Sequence, residues 1–271
     1  MPNEKQPLVS VCMGVRYRRE DLFLLERSIR SIQAQTYSNW ELLICERDSS
    51  EKAKVRLNFF AQKDPRIHIL DGAGTEGLPG QLNRCLKMAK GDWIARMDDD
   101  DFSYPRRLAA QMEYLRENPQ VAFVGCVARL EQDARPAGIR QLPERPTVRD
   151  FLFVQPFLHP TLLFRQKVLE TVGGYCEEPR CLGCEDYDLL LRLYEAGFVG
   201  ENIQEPLLTY TLPSTGSKKR TMALRRNEVK TRYVRFKRLG LLPGALPYVV
   251  KPVVVGVMPL RVLLWVKRKI Y

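Results

Sequence analysis

The sequence predicts an α/β fold: a mostly parallel central sheet flanked by helices, followed by a helical, basic and apolar C-terminal tail. Short β-branched apolar runs alternate with segments of helical periodicity, the pattern of βαβ units. Charged and polar residues collect where those runs end, which is where ligands sit in open sheets of this kind. The net charge of +11 is unevenly placed. Residues 214–271 hold 15 Lys/Arg and a single acid, Glu228, whereas residues 1–213 hold 28 basic and 31 acidic side chains. The chain therefore divides into an α/β unit, 1–213, and a tail, 214–271. The unit divides again into a ligand-binding half, 1–125, and a second half, 126–213.

The elements follow in order. "PLVSVCM" is a β-branched run and predicts a buried strand. "EDLFLLERSIRSIQAQ" repeats Leu22, Leu25, Ile29 and Ile32 at helical spacing. "NWELLICE" is the next strand, "KVRLNFFAQK" a helix and "RIHIL" a short strand. "EGLPGQLNRCLKMAKG" sets Leu82, Cys85, Leu86 and Ala89 on one helical face, with Gly91 as a stop. "DWIARM" is a strand that runs into Asp98–Asp101. "YPRRLAAQMEYLREN" aligns Leu108, Met112 and Leu115 behind Pro105, and "VAFVGC" is a further strand. The second half is less regular. "DFLFVQPFLHPTLLFR" mixes apolar runs with Pro156 and Pro160. "EDYDLLLRLYEAG" predicts a helix with acids in its first turn and Gly197 past its end. Crossovers in such units are right-handed, so helices cover both faces and three strand ends converge on one crevice.

Composition narrows the function classes. The N-terminus lacks a secretory h-region, and no uncharged run reaches the length of a spanning helix. Seven cysteines without a leader predict free thiols in a cytoplasm. Cys12 and Cys45, inside apolar runs, read as small core residues. Cys176, Cys181 and Cys184 have C-x4-C-x2-C spacing but no fourth cysteine follows, so loop thiols are expected rather than a zinc or iron–sulfur site.

Hard divalent cations such as Mg²⁺ take one or two protein carboxylates plus substrate phosphates. In an extended segment alternate side chains share a face, so Asp98 and Asp100 can pair while Asp99 points elsewhere. The same tetrad also reads as a solvated acidic turn, with Asp101 or Ser103 capping the following helix. Glu185 and Asp186 read either as helix-dipole complements or as reacting carboxylates. His159 and His68, the two histidines, both read as structural groups in apolar runs.

"IARMDDDD" followed by "YPRRLAAQMEYL" resembles the D-x-D-D segment of family 2 glycosyltransferases, which have the GT-A fold. The resemblance runs to about residue 213. It includes "PLVSVCMGVRY", "LERSIRSIQAQTYSNWELLICERDSS", "DPRIHIL", "GLPGQLNRCLKMAKGDWIARMDDDD", "HPTLLFR", "GGY", "EDYDLLLRL" and "LLTY", in that order. It implies a nucleotide-sugar donor held by the first segments, including Val15 and Glu46. It implies that Asp98 contacts ribose or supports a Mg²⁺ or Mn²⁺, and that Asp100 is the main ligand of that ion. Asp99 stands where the family often has a small residue and would alter the donor pocket. Asp101 would order the following loop. Asp186 would be the base, with Glu185 and His159 on the acceptor side. Direct displacement with inversion is implied, at a glycan or lipid-linked acceptor. No Q-x-x-R-W motif follows "EDYD", which favours one sugar per event.

Two departures bear on the donor. Glu46-Arg47-Asp48-Ser49 replaces the family's Asp-Asp-Gly-Ser-type turn, and Gly14-Val15-Arg16-Tyr17 replaces Pro/Gly-x-Tyr-Asn. Arg16 and Arg47 would meet donor phosphates, an anionic acceptor or solvent. They motivate a rival expectation, a non-catalytic nucleotide-sugar or glycan-binding protein. A nucleotidyltransferase, a third reading, lacks support from any Gly-rich phosphate loop. In the tail, "TMALRRNEVKTRYVRFKRLG" puts Met222, Val229, Tyr233 and Phe236 near one face. An apolar stretch broken by Lys251, Pro252, Gly256, Pro259 and Arg261 follows, with Trp265 and a basic cluster at the end. A basic amphipathic segment before apolar pieces predicts attachment to an anionic membrane surface, on its cytoplasmic face. A helix packed on the protein's own core is the other reading. Nucleic acid is not an expected partner, because no nucleic-acid fold motif accompanies the charge.

Overall fold

The computed structural model describes residues 6–214 and 221–257. The end of the tail, with Trp265 and its basic cluster, lies outside the described residues. Strands β1 (Val9–Val15), β2 (Trp40–Glu46), β3 (Ile67–Asp71) and β4 (Trp93–Arg96) alternate with helices α1 (Phe23–Gln33), α2 (Glu51–Lys63) and α3 (Gly77–Met88). β5 (Phe102–Ser103), α4 (Arg107–Glu117), β6 (Phe123–Gln132) and β7 (Arg135–Arg140) follow. After them come β8 (Leu163–Arg165), α5 (Gln166–Thr171), α6 (Glu185–Glu195) and β9 (Gly200–Thr211), then tail helices α7 (Met222–Arg238) and α8 (Leu246–Val257).

The sheet order is β3-β2-β1-β4-β8-β6-β9-β5, with β7 pairing β6. The first four strands are parallel, with Val9 opposite both Trp40 and Trp93. β8 runs antiparallel between β4 and β6, and β9 returns parallel to β6. The β6–β9 register shifts between Cys126 and Ala128, opposite the segment that carries Pro206. Proline donates no ladder hydrogen bond, so a bulge there lets the strand continue. This long, irregular β9 has no clean two-residue alternation, and sequence periodicity missed it, as it missed β7.

Two apolar clusters fill the two faces of the sheet. One holds Val11, Met13, Leu25, Ile29, Leu42 and Leu57 under α1 and α2. The other holds Cys12, Cys45, Cys85, Phe123, Phe164 and Leu189–Leu191, and it takes in Phe236 and Val249 from the tail. Cys12 and Cys45 are core residues as expected, and all seven cysteines are free thiols.

Two expectations need correction. Gly91 does not stop α3: the helix ends at Met88, and Ala89 is already extended. A Cβ on Gly91 would lie 2.5 Å from the Leu8 carbonyl oxygen, so the residue is small because β1 passes against it. In α7 the inward face is not Met222–Val229–Tyr233–Phe236. Tyr233 and Met222 are exposed, while Thr231, Arg232, Arg235 and Phe236 are buried. Arg235 reaches Asp188 at 2.8 Å and Glu195 at 3.1 Å on α6, and Arg232 holds Glu228 at 3.0 Å. Carboxylate partners let these arginines replace apolar residues on the packed face. Gly197 does close α6 with φ +83, where the amides of Gly197 and Phe198 return to the Tyr194 and Leu193 carbonyls.

Candidate active site

Each functional side chain lies just past the end of a strand or at the start of a helix. β4 ends at Arg96, and the chain then turns through the four aspartates. Ser28 Oγ on α1 donates to the Asp98 carbonyl at 2.7 Å. The Thr211 hydroxyl at the end of β9 donates to the Asp100 carbonyl, and Arg27 reaches the same oxygen at 3.3 Å. The turn is thus pinned from two sides by its backbone, leaving its carboxylates to act.

The four carboxylates separate. Asp98 pairs with Arg96, whose guanidinium is enclosed. Asp100 lies 3.7 Å from Arg19. Asp101 is fully buried and accepts the Thr211 amide at 2.8 Å, so it ties the turn to β9, where the sequence suggested ordering of the following loop. Burial and the Asp100 and Asp98 charges push the Asp99 carboxyl up to about 7, against the pull of Arg96 and Arg19. Burial and Asp98 also raise Asp100. These carboxylates crowd one another more than the two arginines offset. The donors are all hard oxygens, so the residues present fit a Mg²⁺ or Mn²⁺ ion. Asp98 and Asp100, the carboxylates that the resemblance assigns to the ion, are the side chains that would hold it.

Asp98 and Asp99 line a cleft of about 420 Å³ with Gly14, Arg16, Arg47, Gly77, Leu78 and Gln81. The two arginines that depart from the family pattern therefore face this cleft. Val15 and Glu46 do not line it. The Val15 carbonyl accepts from the Arg47 amide and from Gln81 Nε2, each at 2.9 Å. Glu46 accepts the Ser49 amide at 2.7 Å, shaping the turn that presents Arg47.

A second cleft, of about 420 Å³, opens at the start of α6 and is lined by Asp186, Tyr187, Gln155 and Phe153 among others. Gln155 Nε2 donates to Asp186 at 2.9 Å. Glu185, beside it, keeps one carboxylate oxygen buried without a partner, and burial together with Asp186 raises its pKa. His159 is absent from the lining of both clefts. It is buried at the foot of the second half, with Nε2 2.8 Å from the Tyr175 hydroxyl. Burial, assisted by Arg96, holds its imidazole well below the usual pKa, so it is neutral.

Burial pushes the Tyr210 phenol up to about 12, with Asp98, Asp101, Asp100 and Asp186 all adding to the shift. Arg96 acts in the same way across the site: its charge bears on Asp98, Tyr175, Asp101, His159 and Glu185. Sequence reading missed Arg96, Tyr210 and Gln155. Arg96 offered one signal, a cation inside the otherwise apolar run "DWIARM".

Among the described residues, the group of three that converges as metal ligands would is Cys176, Cys181 and Asp188. Asp188 is already held by Arg192, Arg235 and Arg180 at 2.8, 2.8 and 3.7 Å. Three cations around one carboxylate oppose a further cation there. Cys184 lies apart, its thiol donating to Thr231 on α7 at 3.4 Å.

Residues 15–173 match the model of the family described as Glycosyl transferase family 2. EpsE of Bacillus subtilis, named as a glycosyltransferase, is 35% identical over 259 residues, covering 95% of this chain and 92% of EpsE. The O-antigen biosynthesis glycosyltransferase WbnJ of Escherichia coli is 34% identical over 223 residues, covering 80% of this chain and 84% of WbnJ. Among solved structures, the mannosyltransferase PcManGT from Pyrobaculum calidifontis, in complex with GDP-Man and Mn²⁺, superposes with a TM-score of 0.61 at 18% identity. That match covers 98% of this chain and 80% of PcManGT, and it concerns the fold.

Proposed function

The chain belongs to glycosyltransferase family 2, and from that premise we propose that it moves one sugar from a nucleotide-sugar donor to a glycan or lipid-linked acceptor, in the synthesis of a cell-surface polysaccharide or glycolipid. The observation that carries this reading is the pair of clefts, one lined by Asp98 and Asp99 beside Arg16 and Arg47, the other by Asp186 held by Gln155. The name of WbnJ supports the polysaccharide context.

The donor diphosphate lies in the first cleft, where Arg16 and Arg47 face its negative charge. A divalent cation held by Asp100 and Asp98 would supply Lewis-acid stabilisation of the leaving diphosphate. The acceptor hydroxyl lies against Asp186. As its oxygen bonds to the anomeric carbon, the bond from that carbon to the diphosphate breaks, and the hydroxyl proton passes to the Asp186 carboxylate. Attack from the side opposite the diphosphate inverts the anomeric centre. Gln155 orients the base through its 2.9 Å hydrogen bond. Glu46 and Val15 act on the donor indirectly, by shaping the strand-end turn. His159, held by Tyr175 and lining neither cleft, supports the second half rather than touching the acceptor.

The tail supports attachment to an anionic membrane surface, on the cytoplasmic side. Leu246, Val250, Val254 and Val257 are all exposed and recur at helical spacing along α8. No helix among the described residues is long and apolar enough to cross a membrane.

A screen of nucleotide sugars by thermal shift, with and without Mn²⁺, tests the donor half. Stabilisation by one nucleotide class in the presence of the ion is expected. The absence of any shift across the panel would contradict it.

A further inference from the structure

Cys176 and Cys181 lie on the loop that leads into α6, and neither lines the Asp98–Asp99 cleft or the Asp186 cleft. Their sulfurs and one Asp188 oxygen all lie within 4.8 Å of one another. The two thiols differ in access. Cys181 is fully buried, whereas Cys176 is partly exposed beside the exposed Glu177, Glu178 and Pro179. Burial, with the neighbouring Cys176 thiol and Asp188, pushes the Cys181 thiol up against the pull of Arg180. A shielded, protonated thiol thus sits beneath one that solvent reaches.

Arg180 completes the group. Its Nε and Nη2 bind Glu178 at 2.7 and 3.1 Å. Its Nη1 is buried, lies 3.7 Å from Asp188 and donates no hydrogen bond. The charges of both thiols bear on this guanidinium. An unspent guanidinium edge beside two sulfurs is placed to hold the negative charge that passes from sulfur to sulfur in thiol–disulfide exchange.

The same loop touches both clefts. The Arg180 carbonyl accepts from the Thr231 hydroxyl at 3.1 Å and the Leu182 carbonyl from Asn227 at 3.2 Å, so α7 clamps the loop backbone. A Cβ on Gly77, which lines the Asp98–Asp99 cleft, would lie 3.5 Å from the Leu182 side chain. Gly183 and Cys184 line the cleft of Asp186. The Cys184 amide donates to the Cys181 carbonyl and the Asp188 amide to the Cys184 carbonyl, each at 2.9 Å. A displacement at Cys181 therefore passes through Leu182–Cys184 into the first turn of α6.

We propose that Cys176 and Cys181 form a reversible disulfide, with a low-molecular-weight disulfide as oxidant, and that the bond slows transfer by displacing the loop before Asp186. The Cys176 thiolate attacks the small disulfide, whose S–S bond breaks, and one half leaves and takes up the proton that Cys176 gave. Cys181 then attacks the Cys176 sulfur of the mixed disulfide, and the other half leaves with the Cys181 proton. Two protein thiols are oxidised and the two sulfurs of the reagent are reduced to thiols. A disulfide holds its sulfurs about 2.05 Å apart, so the free thiols approach and the clamped loop moves with them. In a compartment that keeps thiols reduced, such a bond is transient and senses redox state. The bond itself is independent of the transfer reading; its effect on rate rests on that reading.

The test uses the full chain and oxidised glutathione, followed by alkylation under denaturing conditions, trypsin digestion and mass spectrometry. Trypsin cuts after Arg180 and so separates the two cysteines. The peptide ending at Arg180 should be found joined to the peptide beginning at Cys181, and fragmentation should place the bond on Cys181 rather than Cys184. Oxidation should lower kcat about tenfold, the scale of a displaced reacting group, and dithiothreitol should restore it. Cys176→Ser and Cys176→Ala should keep the wild-type melting temperature and rate and lose both the bond and the sensitivity. A bond to Cys184, a mixed disulfide that persists on Cys176, or an unmodified native chain would overturn the proposal. So would an unchanged rate in the bridged protein, or undiminished sensitivity in the Cys176 variants. A bond that forms in a protein transferring no sugar from any donor would overturn the transfer reading and leave the thiol pair as a modification site.

Discussion

Gln155 Nε2 and the Asp186 carboxylate are 2.9 Å apart, so the candidate base is tethered to the segment that carries the exposed Phe153 and Val154. Removing the tether with Gln155→Ala should lower kcat by about tenfold with little change in donor KM, because orientation of a base contributes to the reacting step. Steady-state kinetics check this. A rise in donor KM at unchanged kcat would place Gln155 on the donor side instead.

Asp188 is fully buried and joins α6 to α7 through Arg235, with Arg192 and Arg180 beside it. Asp188→Asn leaves buried cations without their counter-charge and should cost about 3–5 kcal/mol of stability at neutral pH. Burial alone would raise this carboxyl, but Arg235 and Arg192 outweigh it and hold the pKa below the usual 3.8. A carboxylate with a depressed folded pKa stabilises fully above its unfolded pKa and loses that contribution as pH falls through the folded one. Urea denaturation of both proteins should therefore show a constant gap at neutral pH that closes below pH 3.8. A gap that persists unchanged into strong acid would contradict the ion-pair account.

Gly91→Ala places a Cβ 2.5 Å from the Leu8 carbonyl oxygen. Backbone cannot yield as a flexible side chain does, so a loss of about 1–3 kcal/mol is expected. Thermal denaturation measures it. A stability gain, as expected of a glycine that only ends a helix, would contradict the close approach.

The exposed stripe of α8 can be tested without removing the tail. Truncation at residue 214 would also take Arg235 from Asp188 and Phe236 from the core. Val250→Asp/Val254→Asp changes two exposed positions instead. Co-sedimentation with anionic vesicles should fall several-fold, and the melting temperature should hold. Undiminished sedimentation would remove α8 from the membrane surface.

The parallel half of the fold was legible because its strands are buried on both faces and its helices keep a 3.6-residue period, as in Leu25–Ile29–Ile32. β9 was not, because Glu205 and Pro206 interrupt it and its register shifts against β6. α7 was legible as a helix but not in its packing, since buried arginines replace the apolar face. At the site, alternation paired the wrong carboxylates: the chain turns at Asp99 and Asp100 rather than running extended, so Asp98 and Asp99, not Asp98 and Asp100, line the cleft together. What the sequence could not show is long-range charge: the Arg96 charge bears on Glu185 and His159 only once the fold brings these distant segments beside β4. Asp99, an extra carboxylate in the sequence, has its ionisation opposed by burial and by Asp100 and Asp98, and it lines the cleft that Arg16 and Arg47 face.

The most direct test of the central claim is product analysis with the nucleotide sugar that the screen identifies, Mn²⁺ and a lipid-diphosphate-linked sugar acceptor. Wild type should release intact nucleoside diphosphate in equal amount to a glycosylated acceptor whose new linkage is inverted relative to the donor. Asp186→Asn should lose about 10²–10⁴-fold in rate while still folding and still binding the donor. Full activity in Asp186→Asn, retained anomeric configuration, or release of a nucleoside monophosphate would contradict the account.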